Sequence, residues 1–165
     1  MKRMINKLIF SILLISTIVA CSSPGNKVKE RIALVERYNE AVENLDYQSM
    51  HDCLADDYLG MGPNYGDSVT KDAALENWKY VAEHIYDKID YRKSINVAMT
   101  IPSGENQGDW VSNWAELHIR YKSGREVTIW ANSVYKIEDG KIARSLTFYN
   151  EMDALRQLGY RVVEK

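Results

Sequence analysis

Hydrophobic and polar residues alternate with a period of two through residues 110–150, WVSNWAELHIRYKSGREVTIWANSVYKIEDGKIARSLTFYN. The turn sequences KSGR and EDGK divide this stretch into three runs, which predicts three consecutive antiparallel strands. Each of the first two runs has about a dozen residues, roughly 40 Å if flat at ~3.3 Å per residue, which is long for a small domain. We therefore expect a strongly curved sheet with a concave face.

Upstream of the strands the apolar residues take a helical spacing. Residues 27–45 carry apolar side chains three, four and seven positions apart, which predicts an amphipathic helix. Asp46 is placed to cap a second, shorter helix that runs to Ala55. Thr70 is placed to cap a third helix over residues 71–84.

The remaining segments complete the predicted order of elements. Residues 60–66, GMGPNYG, predict a loop because glycine and proline interrupt regular structure. Residues 87–99 alternate and predict a further strand, and residues 151–158 predict a short terminal helix that ends at Gly159. Helices followed by strands indicate an α+β fold, a cone-shaped antiparallel sheet whose concave face is covered by the three N-terminal helices.

The first residues carry a targeting pattern. Lys2, Arg3 and Lys7 precede an apolar run at 8–15, and the sequence IVAC ending at Cys21 resembles the lipobox of bacterial lipoproteins. This resemblance implies a signal peptide over 1–20, a lipidated Cys21 with a polar tether to residue 26, and one domain over 27–165. An uncleaved anchor helix is the alternative.

The expected location follows from the same pattern. A lipidated Cys21 would hold the domain on a membrane of the bacterial cell envelope. Ser22 at the next position implies the outer membrane if the cell is Gram-negative.

Composition excludes several classes of function. The 165-residue chain has a net charge of −2 and no basic stripe, so nucleic acid is not an expected partner. Its three histidines, His51, His84 and His118, fall on different predicted elements, so no metal site is expected. We expect no cofactor. Cys53, the only other cysteine, fits a small core residue.

Four stretches resemble one family: VERYNEAVENLDYQSMHDCLADDY, TKDAALENW, SVYKIEDGKI and FYNEMDALRQLG. Together they are similar to the SnoaL-like branch of the nuclear transport factor 2 superfamily. That resemblance implies a cone-shaped α+β domain over nearly all of the mature chain. The superfamily includes ketosteroid isomerases, polyketide cyclases, dehydratases and non-catalytic binding or dimerisation modules, so the fold alone does not choose a function.

The isomerase chemistry can be compared position by position. The resemblance matches Tyr38 to a tyrosine that holds the substrate oxygen, but places Gly62 and Ser133 where that chemistry needs two aspartates. Without these carboxylates the mechanism lacks its base and half of its oxyanion hole. This favours a binding protein over an enzyme.

Glu116 and His118 form the alternative catalytic pair. They lie two residues apart and therefore on one face of their strand. Turned inward, Glu116 would be a general base with His118 as its partner, as in an isomerase, cyclase or dehydratase. Turned outward, they would lie in solvent or at a dimer interface, which we slightly favour because a buried charge needs a partner.

The sequence thus predicts a pocket that binds a small, mostly apolar ligand. Met61 and Tyr65 would form its mouth; Trp114 joins the wall in the register that also turns Glu116 inward. The expected pocket residues are Tyr38, Met61, Tyr65, Trp78, Trp114, Ala131, Ser133, Thr147 and Tyr149.

Two alternatives remain open for these residues. The inner aromatic residues could instead be an ordinary core with satisfied hydroxyls, which is the commoner role of aromatics at helical spacing. If Trp114 and Trp130 face outward, they form an aromatic patch through which the outer sheet face would make a homodimer or bind another protein.

Overall fold

The computed structural model describes residues 24–161 and residue 163. The predicted signal peptide and the lipidation site Cys21 lie outside these residues. The described helices are α1 Pro24–Glu43, α2 Tyr47–Cys53, α3 Lys71–His84 and α4 Glu151–Gln157. The described strands are β1 Leu54–Met61, β2 Ser68–Thr70, β3 Tyr86–Ile101, β4 Gly108–Tyr121, β5 Glu126–Glu138 and β6 Lys141–Tyr149.

The strands form one sheet in the order β2-β1-β6-β5-β4-β3. Its end strands β2 and β3 do not pair with each other, so the sheet is curved but unclosed. Strands β3 to β6 are antiparallel neighbours, whereas β1 runs parallel to β6. The α+β fold is confirmed, and the prediction of a purely antiparallel sheet is wrong because of β1.

Strand β1 is the element that the sequence pattern missed. Leu54 and Tyr58 are buried four residues apart, a spacing that fits a helix as well as a strand. Helix α2 ends at Cys53 rather than at Ala55, and Met61 belongs to β1 rather than to the following loop. The parallel pairing with β6 joins segments far apart in the sequence, which no local pattern reveals.

Helix α3 and both predicted caps are confirmed. The carboxylate of Asp46 accepts a hydrogen bond from the Ser49 backbone N–H at 3.0 Å, and Thr70 accepts one from that of Ala73 at 3.5 Å. Helix α1 begins at Pro24 rather than at residue 27, so it includes part of the predicted tether. Helix α4 also forms as predicted, ending at Gln157, so a fourth helix joins the three that were expected over the sheet.

Strand β3 carries a bulge that changes which face its residues occupy. Lys93 has a positive φ of 51°, and the pairing with β4 shifts between Arg92 and Ile95. Tyr91 therefore lies on the concave face, while Ile95 lies on the outer face. The predicted alternation of β3 on a single face is wrong beyond the bulge.

The core fills the space between α1, α2 and the concave side of the sheet. Its most deeply buried members include Val35, Met50, Val111, Val127 and Ile142. No helix within the described part of the chain has the length and apolar character needed to cross a bilayer.

Candidate ligand-binding site

The core does not fill the cone completely. A cavity of about 340 Å³ remains between the concave face of β3 to β6 and helices α1, α3 and α4. Small-molecule pockets in proteins commonly measure roughly 300–1,000 Å³. The side chains that line the cavity are aromatic, aliphatic or small and polar: Tyr38, Val42, Trp78, Tyr86, Ile89, Tyr91, Asn113, Leu117, Ile119, Tyr121, Val127, Ile129, Ala131, Ser133, Tyr135, Ser145, Thr147, Tyr149, Glu151, Ala154, Leu155 and Leu158.

A polar row crosses the cavity wall on three adjacent strands. Asn113 of β4 pairs with Ser133 of β5, and Ser133 pairs with Thr147 of β6. Residues paired across neighbouring strands point to the same face, so all three reach the concave side. The Ser133 and Thr147 hydroxyl oxygens are 3.0 Å apart. Because each hydroxyl can donate and accept, the row can bind a polar group of a ligand.

Asn113 is held in place from the neighbouring strand. Its Nδ2 donates to Ser94 Oγ at 2.8 Å and to Asn96 Oδ1 at 2.9 Å, both on β3. Asn113 itself is buried. These two bonds fix the amide plane, so the polar row has a defined geometry before any ligand binds.

Three tyrosines, Tyr38, Tyr91 and Tyr135, line the inner part of the cavity. The rings of Tyr38 and Tyr135 meet edge to face with centroids 5.7 Å apart. Burial raises the pKa of all three phenols well above the usual value, with neighbouring tyrosines adding to the shift. Like an ordinary tyrosine, each is neutral at physiological pH, so its hydroxyl can both donate and accept a hydrogen bond.

Charge is nearly absent from the cavity. Glu151, the first residue of α4, is the only charged residue among the described ones that line it. Glu151 is exposed, so it belongs to the open end rather than to the polar row. Among the lining residues, the polar row has no carboxylate or histidine beside it to remove a proton.

Six of the nine predicted pocket residues line this cavity. They come from the first and third helices and from β5 and β6. They are Tyr38, Trp78, Ala131, Ser133, Thr147 and Tyr149.

Met61, Tyr65 and Trp114 do not line it. Met61 ends β1 and pairs with Ser68 and Leu146, so it lies beside β6 rather than at a mouth. Tyr65 is fully exposed in the loop after β1. Trp114 lies on the outer face because Ala115, its neighbour, takes the inner position with no exposed surface.

Glu116 and His118 also lie on the outer face. Leu117 and Ile119 occupy the cavity side of β4, so the register that turned the pair inward is wrong. The Glu116 carboxylate accepts from Lys93 Nζ at 2.6 Å. His118 Nδ1 lies 3.1 Å from the Thr128 hydroxyl. The pair is thus separated from the cavity by the sheet itself.

The position that the resemblance assigns to the catalytic base is closed to any side chain. Gly62 has a φ of +93°, and a Cβ atom there would overlap the carbonyl oxygen of Thr147. An aspartate does not fit at this position without a shift of the backbone. The main chain of β1 and β6 therefore requires glycine at this position.

Several lining residues were not predicted. Tyr121 shares a face with Leu117 and Ile119, so the apolar alternation of β4 was a usable signal for it. Tyr91 lies before the bulge of β3 and shares a face with Ile89, so the alternation of that strand was a usable signal for it. Glu151 depends on how α4 folds back over β5 and had no local signal.

An α+β domain whose open, curved sheet encloses a pocket of this kind is typical of the nuclear transport factor 2-like superfamily. Within it, the chain belongs to the SnoaL-like domain family, whose sequence profile matches residues 35–145. No curated protein matches the chain in sequence.

Solved structures agree with this fold. A proposed polyketide cyclase from Xanthomonas campestris pv. campestris is 18% identical, covering 79% of this chain and 98% of its own, with a TM-score of 0.66. A phenazine biosynthesis-related protein from Pseudomonas aeruginosa is 15% identical, covering 87% of this chain and 90% of its own, with a TM-score of 0.64. An LEH-like epoxide hydrolase from M. tuberculosis is 17% identical over 80% of this chain and 91% of its own, with a TM-score of 0.59. At these identities the similarity establishes the fold alone.

Proposed function

We propose that this protein binds a small, mostly apolar ligand in its cone without converting it. The main support for this proposal is the cavity of about 340 Å³. Its wall is aromatic and aliphatic apart from the polar row and the carboxylate of Glu151 at the periphery. Such a wall favours a ligand with an apolar body, because binding buries the apolar surface of the ligand. The polar row would orient the ligand by hydrogen bonds to a hydroxyl or carbonyl group that the ligand carries.

The absence of conversion is supported by the residues at the expected catalytic positions. Gly62 cannot carry a base, and Ser133 pairs with Thr147 where an acid would be needed. Glu116 and His118, the alternative pair, lie across the sheet from the cavity. A cyclase, isomerase or dehydratase reaction would have to proceed without a base beside the polar row.

A direct test uses a neutral, mostly apolar probe, 4-tert-butylphenol, and the mature full chain in lipid nanodiscs. Ligand-observed NMR, with empty nanodiscs as the blank, measures binding. Ala131→Leu places extra volume inside the cavity and is expected to weaken binding at least about tenfold through steric exclusion. Thr128→Leu places leucine on the outer face of the same strand and is the control. Equal affinities for the two variants would overturn the proposed site.

We further propose that lipidation at Cys21 anchors the domain to a membrane of the bacterial envelope. The support is the sequence IVAC after a basic and an apolar region. Labelling cells with an alkyne fatty acid should tag the wild-type protein and fail to tag Cys21→Ser. Equal labelling would exclude this anchor.

A homodimer through the outer sheet face is supported by a separate observation. Paired positions on three strands bring large apolar side chains together around Asn132, which faces Trp114 on one side and Phe148 on the other. The exposed fraction of these outer-face residues is 43% for Trp114, 63% for Trp130, 53% for Phe148 and 59% for Ile95. Exposed apolar surface of this kind marks interfaces, and a second copy can cover it symmetrically.

The dimer is tested by light scattering after size-exclusion chromatography in mild detergent. Phe148→Asp should convert the dimer to a monomer because it would bury a charge in the interface. Tyr65→Asp replaces a fully exposed aromatic residue in the loop after β1 and should leave the dimer intact. A monomeric wild-type protein would contradict this interface.

A further inference from the structure

The open end of the cavity differs from its interior in shape and in charge. Tyr86 at the start of β3 and Tyr121 at the end of β4 meet edge to face, with ring centroids 5.2 Å apart and planes at 83°. Tyr149, 36% exposed, and the exposed carboxylate of Glu151 complete this end. These four residues are called the aromatic mouth.

Glu151 has no ion-pair partner among the described residues. Burial is the largest cause that raises the pKa of Tyr86, Tyr121 and Tyr149, and the negative charge of Glu151 adds to the shift of each. Glu151 also lines the same cavity as the three tyrosines. All three stay neutral at physiological pH, which leaves Glu151 as the charge of the mouth.

Positive side chains are directed elsewhere. Lys, Arg and His are absent from the described residues that line the cavity. The positive charge of Arg125 acts to lower the pKa of Tyr121. The Arg125 guanidinium itself donates a hydrogen bond to the Leu158 carbonyl at 3.0 Å and lies 5.7 Å from the centroid of the Tyr160 ring. The charge of Glu151 is thus left for a ligand.

We propose that the aromatic mouth binds an alkylated ammonium group of the ligand, whose apolar body lies in the cavity. This inference rests on the proposed binding function and specifies the chemical class of the ligand. Aromatic faces attract cations through their quadrupole, and a methylated ammonium combines charge with an apolar surface that packs against rings. The same carboxylate repels carboxylate and phosphate groups, so anionic ligands are excluded from the mouth.

Two probes of equal shape separate charge from size. The cation 4-hydroxyphenyltrimethylammonium replaces the quaternary carbon of 4-tert-butylphenol with nitrogen and is otherwise its isostere. We expect the cation to bind the mature full chain in nanodiscs about fivefold more tightly or better, as cation–π contacts of ~1 kcal/mol or more would give. Ligand-observed NMR measures both dissociation constants.

Variants locate the preference at the mouth. Glu151→Gln and Tyr149→Leu should each reduce the ratio of the two affinities toward one. Tyr149→Phe keeps the ring and should keep the ratio, and Glu105→Gln removes the same charge from an exposed loop as the matched control. A wild-type ratio of one, or a ratio unchanged in both mouth variants, would overturn this inference while leaving the binding function in place. If neither probe binds, the binding function fails and the inference fails with it.

Discussion

Gly62 shows how the main chain limits which residue can follow β1. Its φ of +93° lies in the region that glycine tolerates and other residues do not, and its α-carbon lies close to the main chain of Thr147. A carboxylate at this position would require both a different backbone conformation and a displaced β6. The glycine is therefore required by the main chain at this point.

Replacing Gly62 with alanine should destabilise the protein by about 3 kcal/mol, since the left-handed conformation and the overlap with the Thr147 carbonyl both oppose a Cβ. Gly66→Ala is the matched control: its φ of +89° is similar, but a Cβ there would meet no atom within 4 Å. The control should cost only about 1 kcal/mol. Urea unfolding followed by circular dichroism measures both. Equal losses would mean that the contact with Thr147 does not matter.

At the scale of elements, short helices depend most on their caps. Helix α2 has seven residues, and Asp46 accepts from the backbone N–H of Ser49 at 3.0 Å and from its hydroxyl at 2.6 Å. Asp46→Ala should lower the free energy of unfolding by about 1 kcal/mol. Asp46→Asn retains an acceptor and should recover most of the loss, whereas Asp52→Ala, on the exposed side of α2, should change little. An alanine variant as stable as wild type would show that α2 is held by packing alone.

The sequence predicted those elements whose pattern is local. Helix α3 has a cap, and turns and alternation mark strands β5 and β6. Alternation turned Ala131 and Ser133 toward the concave face, the family resemblance turned Thr147 there, and all three lie on that face. Strand β1 and the bulge at Lys93 depend on pairing between distant segments. The facing of Glu116 was ambiguous because both faces of β4 mix apolar and polar residues, with Trp114 on one and Asn113 on the other.

For the whole molecule, the cavity and the stability of the fold share the same tyrosines. Tyr38, Tyr91 and Tyr135 line the cavity, and their rings also belong to the hydrophobic core or pack against it. A hydroxyl inside an apolar core is stabilising only while it stays protonated and hydrogen-bonded. The tyrosines of the cavity should therefore make the protein sensitive to alkaline pH.

The direction of this sensitivity follows from the raised pKa values. A free tyrosine has a pKa of about 10, so below that pH the folded and unfolded chains hold the same phenolic protons and stability is unaffected. Above it, the unfolded chain loses protons that buried Tyr135 retains because burial raises its pKa. The free energy of unfolding should then fall by about 1.4 kcal/mol per pH unit for each such tyrosine.

Urea unfolding between pH 8 and pH 11.5 should give a shallower decline for Tyr135→Phe than for wild type, while Tyr65→Phe, at a fully exposed position, should keep the wild-type slope. Lysines titrate over the same range in all three proteins, so the difference in slope isolates the buried phenol. An identical slope for Tyr135→Phe would show that this hydroxyl titrates normally in the folded protein.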